Sequence, residues 1–313
     1  KTGWWNSIVS GDFDNDGDMD YIVGNLGLNS FYKASDKYPV NITAGDFDNN
    51  GTYDAFPSVY LPASNSDTTK EEFPAQSKDD ILKQMVSIRK RFENYKSFAV
   101  APMDSLLTRE QMKTALKLHA NYLSSALLRN DGNGKFTLIP LPVKAQVSVL
   151  NGMIAGDFDG DGNTDVMING NDYGTEVSQG RYDALNGLVL KGDGKGNFSP
   201  LSILQSGIYI PGNGKALVAL KSNSGKYMVA ASQNKGPLKI FESKKDKKTI
   251  NLLPMDEVVI LTFKNGSQQR HEINYGSSFL SQSSRFLQIA DNVASAEIIN
   301  NKGEKRTIRF NTP

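Results

Sequence analysis

Short apolar runs recur along this chain, each beside a cluster of Asp, Asn and Gly. Tyr21-Ile22-Val23-Gly24 and Val166-Met167-Ile168 come directly after such clusters, while Leu127-Leu128-Arg129 and Leu188-Val189-Leu190 lead into tight Gly/Asp turns. Runs this short, rich in Val, Ile and Leu and bounded by turn residues, predict strands and hairpins. Ala216-Leu217-Val218-Ala219-Leu220, Tyr227-Met228-Val229-Ala230-Ala231 and Leu238-Lys239-Ile240-Phe241 share that composition, but no acidic loop joins them. Residues 207–243 therefore read as a degenerate copy of the same unit.

The period changes twice. Over about residues 63–121 it becomes helical: Ser77-Lys78-Asp79-Asp80 offers an N-cap, and Ile81, Met85, Ile88, Phe92 and Tyr95 follow on one helix face. Thr108-Arg109-Glu110-Gln111 forms a capping box ahead of Met112, Ala115 and Leu116, a second helix expected to carry His119. This stretch reads as an insertion in the second repeated unit, covering a sheet edge or serving as a lid or partner surface. A charged linker follows at 244–250. Strand patterning then resumes over 251–313, where an Asn265-Gly266 turn joins two strands, one of them holding His271. That segment reads as a small β domain.

The acidic clusters are copies of one another. GDFDNDGDMD, from Gly11, recurs as GDFDNNGTYD from Gly45 and as GDFDGDGNTD from Gly156, at intervals of 34 and 111 residues. Each places oxygen-bearing side chains at loop positions 1, 3, 5 and 9: Asp12, Asp14, Asp16 and Asp20; Asp46, Asp48, Asn50 and Asp54; Asp157, Asp159, Asp161 and Asp165. Carboxylates this dense repel one another. A hard divalent ion that takes six to eight oxygens relieves the repulsion, and Gly at position 6 lets the chain curl around it. Position 7 is expected to give its backbone carbonyl, so Asp18, Thr52 and Asn163 are free to differ. An EF-hand is excluded, because its twelfth-position Glu is replaced by Val23, Pro57 and Ile168. The expectation is up to three Ca²⁺ ions, weakest at the second loop, where Asn50 brings no charge.

These assignments change how the charge is read. Thirty-five Lys and Arg against 34 Asp and Glu give a net charge of +1, but the three loops use 11 of the carboxylates. The remaining surface is basic, so anionic polysaccharide or cell-envelope partners are one reading and an ordinary solvated Lys-rich surface the other. No Arg stripe interleaved with aromatics marks nucleic-acid binding, and no apolar run approaches the roughly 18 residues of a membrane helix. Cysteine is absent, which removes disulfides and thiolate chemistry and leans towards a bacterial source. The start at Lys1-Thr2-Gly3-Trp4-Trp5 has no initiator Met, as expected of a processed or excised chain.

The loops resemble the FG-GAP or VCBS repeats of integrin-α-like β-propellers, over roughly residues 3–243. Gly276-Ser277-Ser278-Phe279-Leu280-Ser281-Gln282-Ser283-Ser284 resembles, more loosely, the ASPIC/UnbV domain that follows such repeats in secreted bacterial proteins and cartilage acidic proteins. Its Trp-Pro-x-Gly segment is replaced here by residues such as Ile299-Asn300-Asn301-Lys302-Gly303. The resemblance implies a mainly β fold with about four propeller-type blades, fewer than a full ring, over 1–243. It also implies an extracytoplasmic location, as in Bacteroidetes surface proteins, where ambient calcium would fill modest sites. A protein or glycan ligand at the cell surface is the expected partner.

No catalytic constellation stands out. His119 and His271 are the only histidines, and the chain has no G-x-S-x-G elbow, P-loop or H-E-x-x-H motif. Trp4 and Trp5 serve either packing or sugar stacking. A non-enzymatic, calcium-stabilised binding or scaffold module is favoured over a calcium-dependent carbohydrate-active enzyme, a polysaccharide lyase or glycoside hydrolase, which would need free groove carboxylates.

Overall fold

The computed structural model describes residues 1–63, 69–244 and 248–310. The fold is mainly β, with 41% of residues in strands and 12% in helices, and its sheets are antiparallel. Among the described residues no sheet closes into a barrel. The chain folds into two compact units, one of Lys1–Trp4 and Phe31–Leu123, the other of Trp5–Ser30 and the described residues from Ser124 onward.

In the second of these units, the first acidic loop joins Ser7–Gly11 to Asp20–Gly24, and the hairpin Ala126–Asn130 with Phe136–Pro140 completes a four-stranded sheet. The third loop repeats the plan, joining Leu150–Gly156 to Asp165–Gly170, followed by Leu188–Gly192 and Phe198–Leu201. Gly214–Lys221, Tyr227–Gln233 and Lys239–Glu242 form a three-stranded sheet without an acidic loop. Strand alternation explains how these sheets pack. Val166 and Ile168 join a core with Phe13, Ile22 and Leu127, whereas Met167, on the opposite face, joins Leu217 and Val229. The middle sheet is thus buried on both faces. Gly152 marks the close approach, since a Cβ there would lie 2.6 Å from the Leu217 nitrogen.

Two differences from the sequence-based expectation follow from this arrangement. The hairpin at 126–140 pairs with the strand after the first loop, Tyr21 opposite Leu128, so the insertion begins near residue 31 and carries the second loop inside it. Its sheet runs Lys70–Pro74, Asp54–Pro62, Val40–Gly45, Leu116–Ala120. Within the stretch expected to be helical, residues 64–68 lie outside the described residues and helices occupy only Lys78–Gln84, Ile88–Arg91, Tyr95–Ala99, Met103–Leu106 and Arg109–Thr114.

Both caps form as expected: Ser77 accepts from the Asp80 N–H, and Thr108 and Gln111 cap reciprocally. Ile81, Met85, Ile88 and Phe92 are buried in one core with Phe47 and Phe56, yet Met85 and Phe92 adopt extended backbone that breaks the helix there. Tyr95 is turned outward, its hydroxyl donating to Asp79 at 3.0 Å. The second helix stops at Thr114, and His119 lies on a strand opposite Asn41, because Leu116-Lys117-Leu118-His119 alternates with a period of two.

The described residues from Lys248 onward, which belong to the same unit as the first and third loops, form a four-stranded sheet in the order Gln268–Glu272, Asp256–Phe263, Val293–Asn300, Lys305–Arg309 and a two-stranded one. Of the linker expected at 244–250, residues 245–247 lie outside the described residues. Lys248–Asn251 is already a strand, held by burial of Ile250 and pairing with Phe286–Ile289.

Candidate metal centre

The three loops share one local geometry. Gly17, Gly51 and Gly162, at position 6, have φ of 91°, 86° and 91°, as the curl requires. Position 4 is left-handed as well, at Asn15 (φ 59°), Asn49 (58°) and Gly160 (91°), which accounts for an Asn/Asn/Gly pattern that ligand spacing alone leaves unexplained. In every loop the position-5 side chain accepts the position-7 N–H at 2.8 Å: Asp16 from Asp18, Asn50 from Thr52, Asp161 from Asn163. The position-1 carboxylate accepts the glycine N–H, at 2.9 Å for Asp46 and 3.0 Å for Asp157.

Position 9 acts as a brace. Asp20, Asp54 and Asp165 accept the N–H of Phe13, Phe47 and Phe158 at 3.1, 3.2 and 3.0 Å. The other oxygens of Asp20 and Asp165 reach the hairpin, at Asn130 N (2.8 Å) and Gly192 N (2.9 Å). The phenylalanine at position 2 folds back over the preceding glycine, where a Cβ on Gly11 would meet Phe13 at 2.8 Å. Burying a Phe side chain contributes about 1.5–3 kcal/mol, so Gly-Asp-Phe is the packing half of the repeat and the aspartates are its charged half.

Two groups of three carboxylates converge among the described residues, each with its ligand atoms within 4.8 Å of one another: Asp12, Asp14 and Asp16; and Asp157, Asp159 and Asp165. Either could hold a metal ion. Asp12 is fully buried, and its Oδ1, like the Oδ1 of Asp14, has no hydrogen-bond partner. An orphaned, desolvated carboxylate oxygen is costly unless a cation faces it. Burial first, then neighbouring aspartates, push the Asp12 carboxyl up to about 6, and burial does the same to Asp20 and Asp165. Asp14 is raised for the same reasons. The rise reflects the cost of ionising crowded carboxylates away from water. The residues fit a hard cation, since every side-chain donor is a carboxylate or amide oxygen and histidine and thiolate are absent from the loops.

The first and third loops differ in their neighbouring cation. Arg129, on the hairpin beside the first loop, pairs with Asp131 at 2.8 Å. The equivalent Lys191 reaches into the third loop and pairs with Asp159 and, at 2.9 Å, with Asp161. Burial would raise Asp161, but the Lys191 ammonium and local N–H groups outweigh it and hold the carboxyl below its usual range. Those hydrogen bonds push Lys191 upward in turn.

The second loop belongs to the other unit. Its Asp48 Oδ1 is buried without a partner, burial raises Asp54, and Gln111 donates to the Phe47 carbonyl at 2.7 Å from the short helix above. Trp4 packs edge-on against Tyr32, 4.8 Å between centroids. His271, half-buried in the wall of a cavity of about 360 Å³ beside the first and third loops, is pushed down to about 4 by desolvation and is neutral. No helix among the described residues is long and apolar enough to cross a membrane. No protein-family model matches the chain, and no curated protein matches its sequence.

Proposed function

We propose that this chain is a non-enzymatic, calcium-binding module whose loops at Asp12, Asp46 and Asp157 are ordered by Ca²⁺, and which presents a binding or scaffold surface to a protein or glycan ligand. The observation that carries the reading is the set of buried carboxylate oxygens without partners, Asp12 Oδ1, Asp14 Oδ1 and Asp48 Oδ1, inside loops of one repeated geometry. Bound calcium supplies positive charge and oxygen coordination, which offsets the desolvation and mutual repulsion of these carboxylates. The chain's own part is to aim them: positions 1 and 3, joined by position 5 in the first loop and by position 9 in the third, contribute side-chain ligands with the position-7 carbonyl, and position 9 also closes and braces the loop. Calcium is favoured over magnesium because a ring of protein oxygens on a flexible loop suits its larger, variable shell.

On this reading, which rests on the resemblance of the loops, the stacked sheets are blades of an FG-GAP or VCBS propeller and the last segment an ASPIC/UnbV-like unit. An extracytoplasmic setting, at the cell surface, secreted or periplasmic, follows from that same resemblance and from the need for abundant calcium. Calorimetric titration with Ca²⁺ and Mg²⁺, with melting curves in calcium and in chelator, tests the reading. Absence of calcium binding, or a melting point indifferent to chelator, sinks it.

One observation favours a carbohydrate-active enzyme instead. A polar cleft of about 450 Å³ in the unit of the second loop is lined by Tyr60, Glu72, Lys117 and His119. It holds a carboxylate and basic groups of the kind glycan cleavage uses. Turnover of acidic polysaccharides, lost in Glu72→Gln and kept in Asp14→Ala, would establish that alternative.

A further inference from the structure

We propose that Asn15 and Gln269 couple the first and third loops, so that two calcium ions bind them cooperatively and together hold the C-terminal β domain in place. The inference rests on the calcium reading of those loops.

Asn15 occupies position 4 of the first loop, a place the ligand spacing leaves unused, and its side-chain amide points away from the carboxylates. Its Nδ2 donates to Asn163 Oδ1 at 3.1 Å and to the Gly194 carbonyl at 3.5 Å. Its Oδ1 accepts from Gln269 Nε2 at 2.9 Å. Gln269 is only 3% exposed, and the same Nε2 reaches Thr164 Oγ1 at 3.1 Å and the Gly162 carbonyl at 3.4 Å. A backbone carbonyl only accepts, so Gly194 fixes the Asn15 amide orientation, and Asn15 Oδ1 in turn requires Gln269 to donate. The remaining Gln269 Oε1 faces His271 Nε2 at 3.0 Å, and a neutral imidazole protonated there satisfies it. The two hydrogens of Gln269 Nε2 serve three acceptors, so one of them is shared, with Gly162 at 3.4 Å the longest contact.

Its contacts fall on the parts of the loops that would surround an ion. Gly162, Asn163 and Thr164 are positions 6 to 8 of the third loop, the turn that carries the expected carbonyl ligand. On the other side, Arg270 N–H donates to Asp12 Oδ2 at 3.3 Å, onto position 1 of the first loop. Gln268–Glu272 is an edge strand, and this N–H points off the free edge, so the loop carboxylate caps a group that an exposed edge leaves open. The C-terminal domain also rests on the third loop's glycine turn, where a Cβ on Gly162 would meet Phe263 at 3.3 Å. One strand thus touches both loops, and the loops touch each other.

Ordering one loop around an ion fixes Asn15 or residues 162–164, and the shared amides then fix the other. The second ion meets a loop whose ordering cost has already been met, which is positive coupling without any change of fold. Couplings of this kind run from about fivefold to about 150-fold in affinity, and a network of a few amide hydrogen bonds near the surface belongs at the lower end, roughly tenfold. The loop at Asp46 belongs to the other unit and serves as the internal control.

The experiment is calorimetric titration of the full chain with Ca²⁺, paired with hydrogen exchange of residues 268–272 with and without the ion. The wild type is expected to fill the first and third loops with a Hill coefficient above one, and Asp157→Ala to weaken the first loop roughly tenfold. Asn15→Gly, which keeps the left-handed backbone of position 4 as Gly160 does in the third loop and removes only the amide, and Gln269→Leu should keep the stoichiometry while making the two sites independent. Calcium should slow exchange at the Arg270 amide in the wild type and much less in Asn15→Gly. Independent sites in the wild type, or cooperativity unchanged in both variants, would overturn the coupling and leave the calcium reading intact. No calcium binding at all would remove both.

Discussion

The first and third loops have the same spacing, the same brace and the same phenylalanine folded over its glycine, yet they neutralise their charge differently. In the first, Arg129 is occupied by Asp131 and two carboxylate oxygens stay buried without partners. In the third, Lys191 lies among the carboxylates and bonds Asp159 and Asp161. The motif thus fixes where negative charge collects, and one residue on the adjoining hairpin decides what balances it. In the first loop Arg129 acts on Asp14 and Asp20 only through space, without an ion pair to them; the third has an ammonium that an incoming cation must displace or share with.

Acidity should separate the two most strongly. Burial raises Asp12 and Asp20 of the first loop to about 6, against an ordinary value of 3.8, and raises Asp14 too. In the third loop Asp165 is raised to about 6, but Asp161 is lowered. A carboxyl whose folded pKa lies above its unfolded value holds its proton more tightly when folded. The contribution of these carboxyls to metal-free stability is therefore greatest at low pH and is lost as pH rises from about 4 through 6, each group costing about 1.4 kcal/mol for every tenfold gain in its proton affinity on folding. Calcium replaces those protons, so its stabilising effect should be full near pH 7.5 and shrink towards pH 5, more for the first loop than for the third. Melting curves in calcium and in chelator across this range check it. An equal calcium effect at pH 5 and pH 7.5 would contradict the burial argument.

Removing a ligand comes next. Asp12→Ala should cost roughly 3 kcal/mol in saturating calcium, the stabilisation one ion gives at about 100 times its dissociation constant. In chelator the same change should cost much less, because the lost acceptor for the Arg270 N–H is offset by deleting a buried carboxyl. The gap between the two melting points therefore narrows. A loss of equal size in chelator would make Asp12 a structural residue and nothing more.

Lys191→Met is a smaller and more discriminating change. The pair is partly exposed, so its strength is about 1 kcal/mol or less, and deleting the ammonium should tighten calcium at the third loop about threefold to fivefold. Arg129→Met should leave the first loop nearly unaffected. If Lys191→Met weakens binding, the ammonium is holding the loop open for the ion rather than competing with it.

The convergence of acidic side chains in the first and third loops, the glycine at position 6 and the β class were legible in the sequence, because each is set by local spacing and by backbone sterics. What was not legible is long-range. Asp20 ties its loop to Asn130, a partner 110 residues away, and that bond assigns the hairpin at 126–140 to the first sheet rather than to the second repeat. His119 read as helical because a good capping box at Thr108 was extended past Thr114, where strand pairing with Asn41 overrides it. Ile81, Met85, Ile88 and Phe92 were legible as core residues even though their helix is broken, since burial depends on which side chains are apolar more than on helix continuity. Lys191 gave no signal of its own; only its register opposite the loop makes it a counter-charge.

The smallest expected effect tests the geometry most sharply. Asp18 sits at position 7 and is exposed, and its N–H donates to Asp16 at 2.8 Å, a bond that any residue but proline can make. Its assigned contribution to the ion is a backbone carbonyl, so Asp18→Ala should change the free energies of calcium binding and of unfolding by no more than about 0.5 kcal/mol, the range of ordinary surface substitutions. Asp16→Ala, two residues earlier, removes a carboxylate of the first cluster together with the acceptor of that N–H, and should weaken the first loop at least tenfold. The two side chains carry the same charge, so a purely diffuse electrostatic attraction would penalise both changes alike. A clear difference between them by calorimetry is what distinguishes coordination from a merely acidic surface turn.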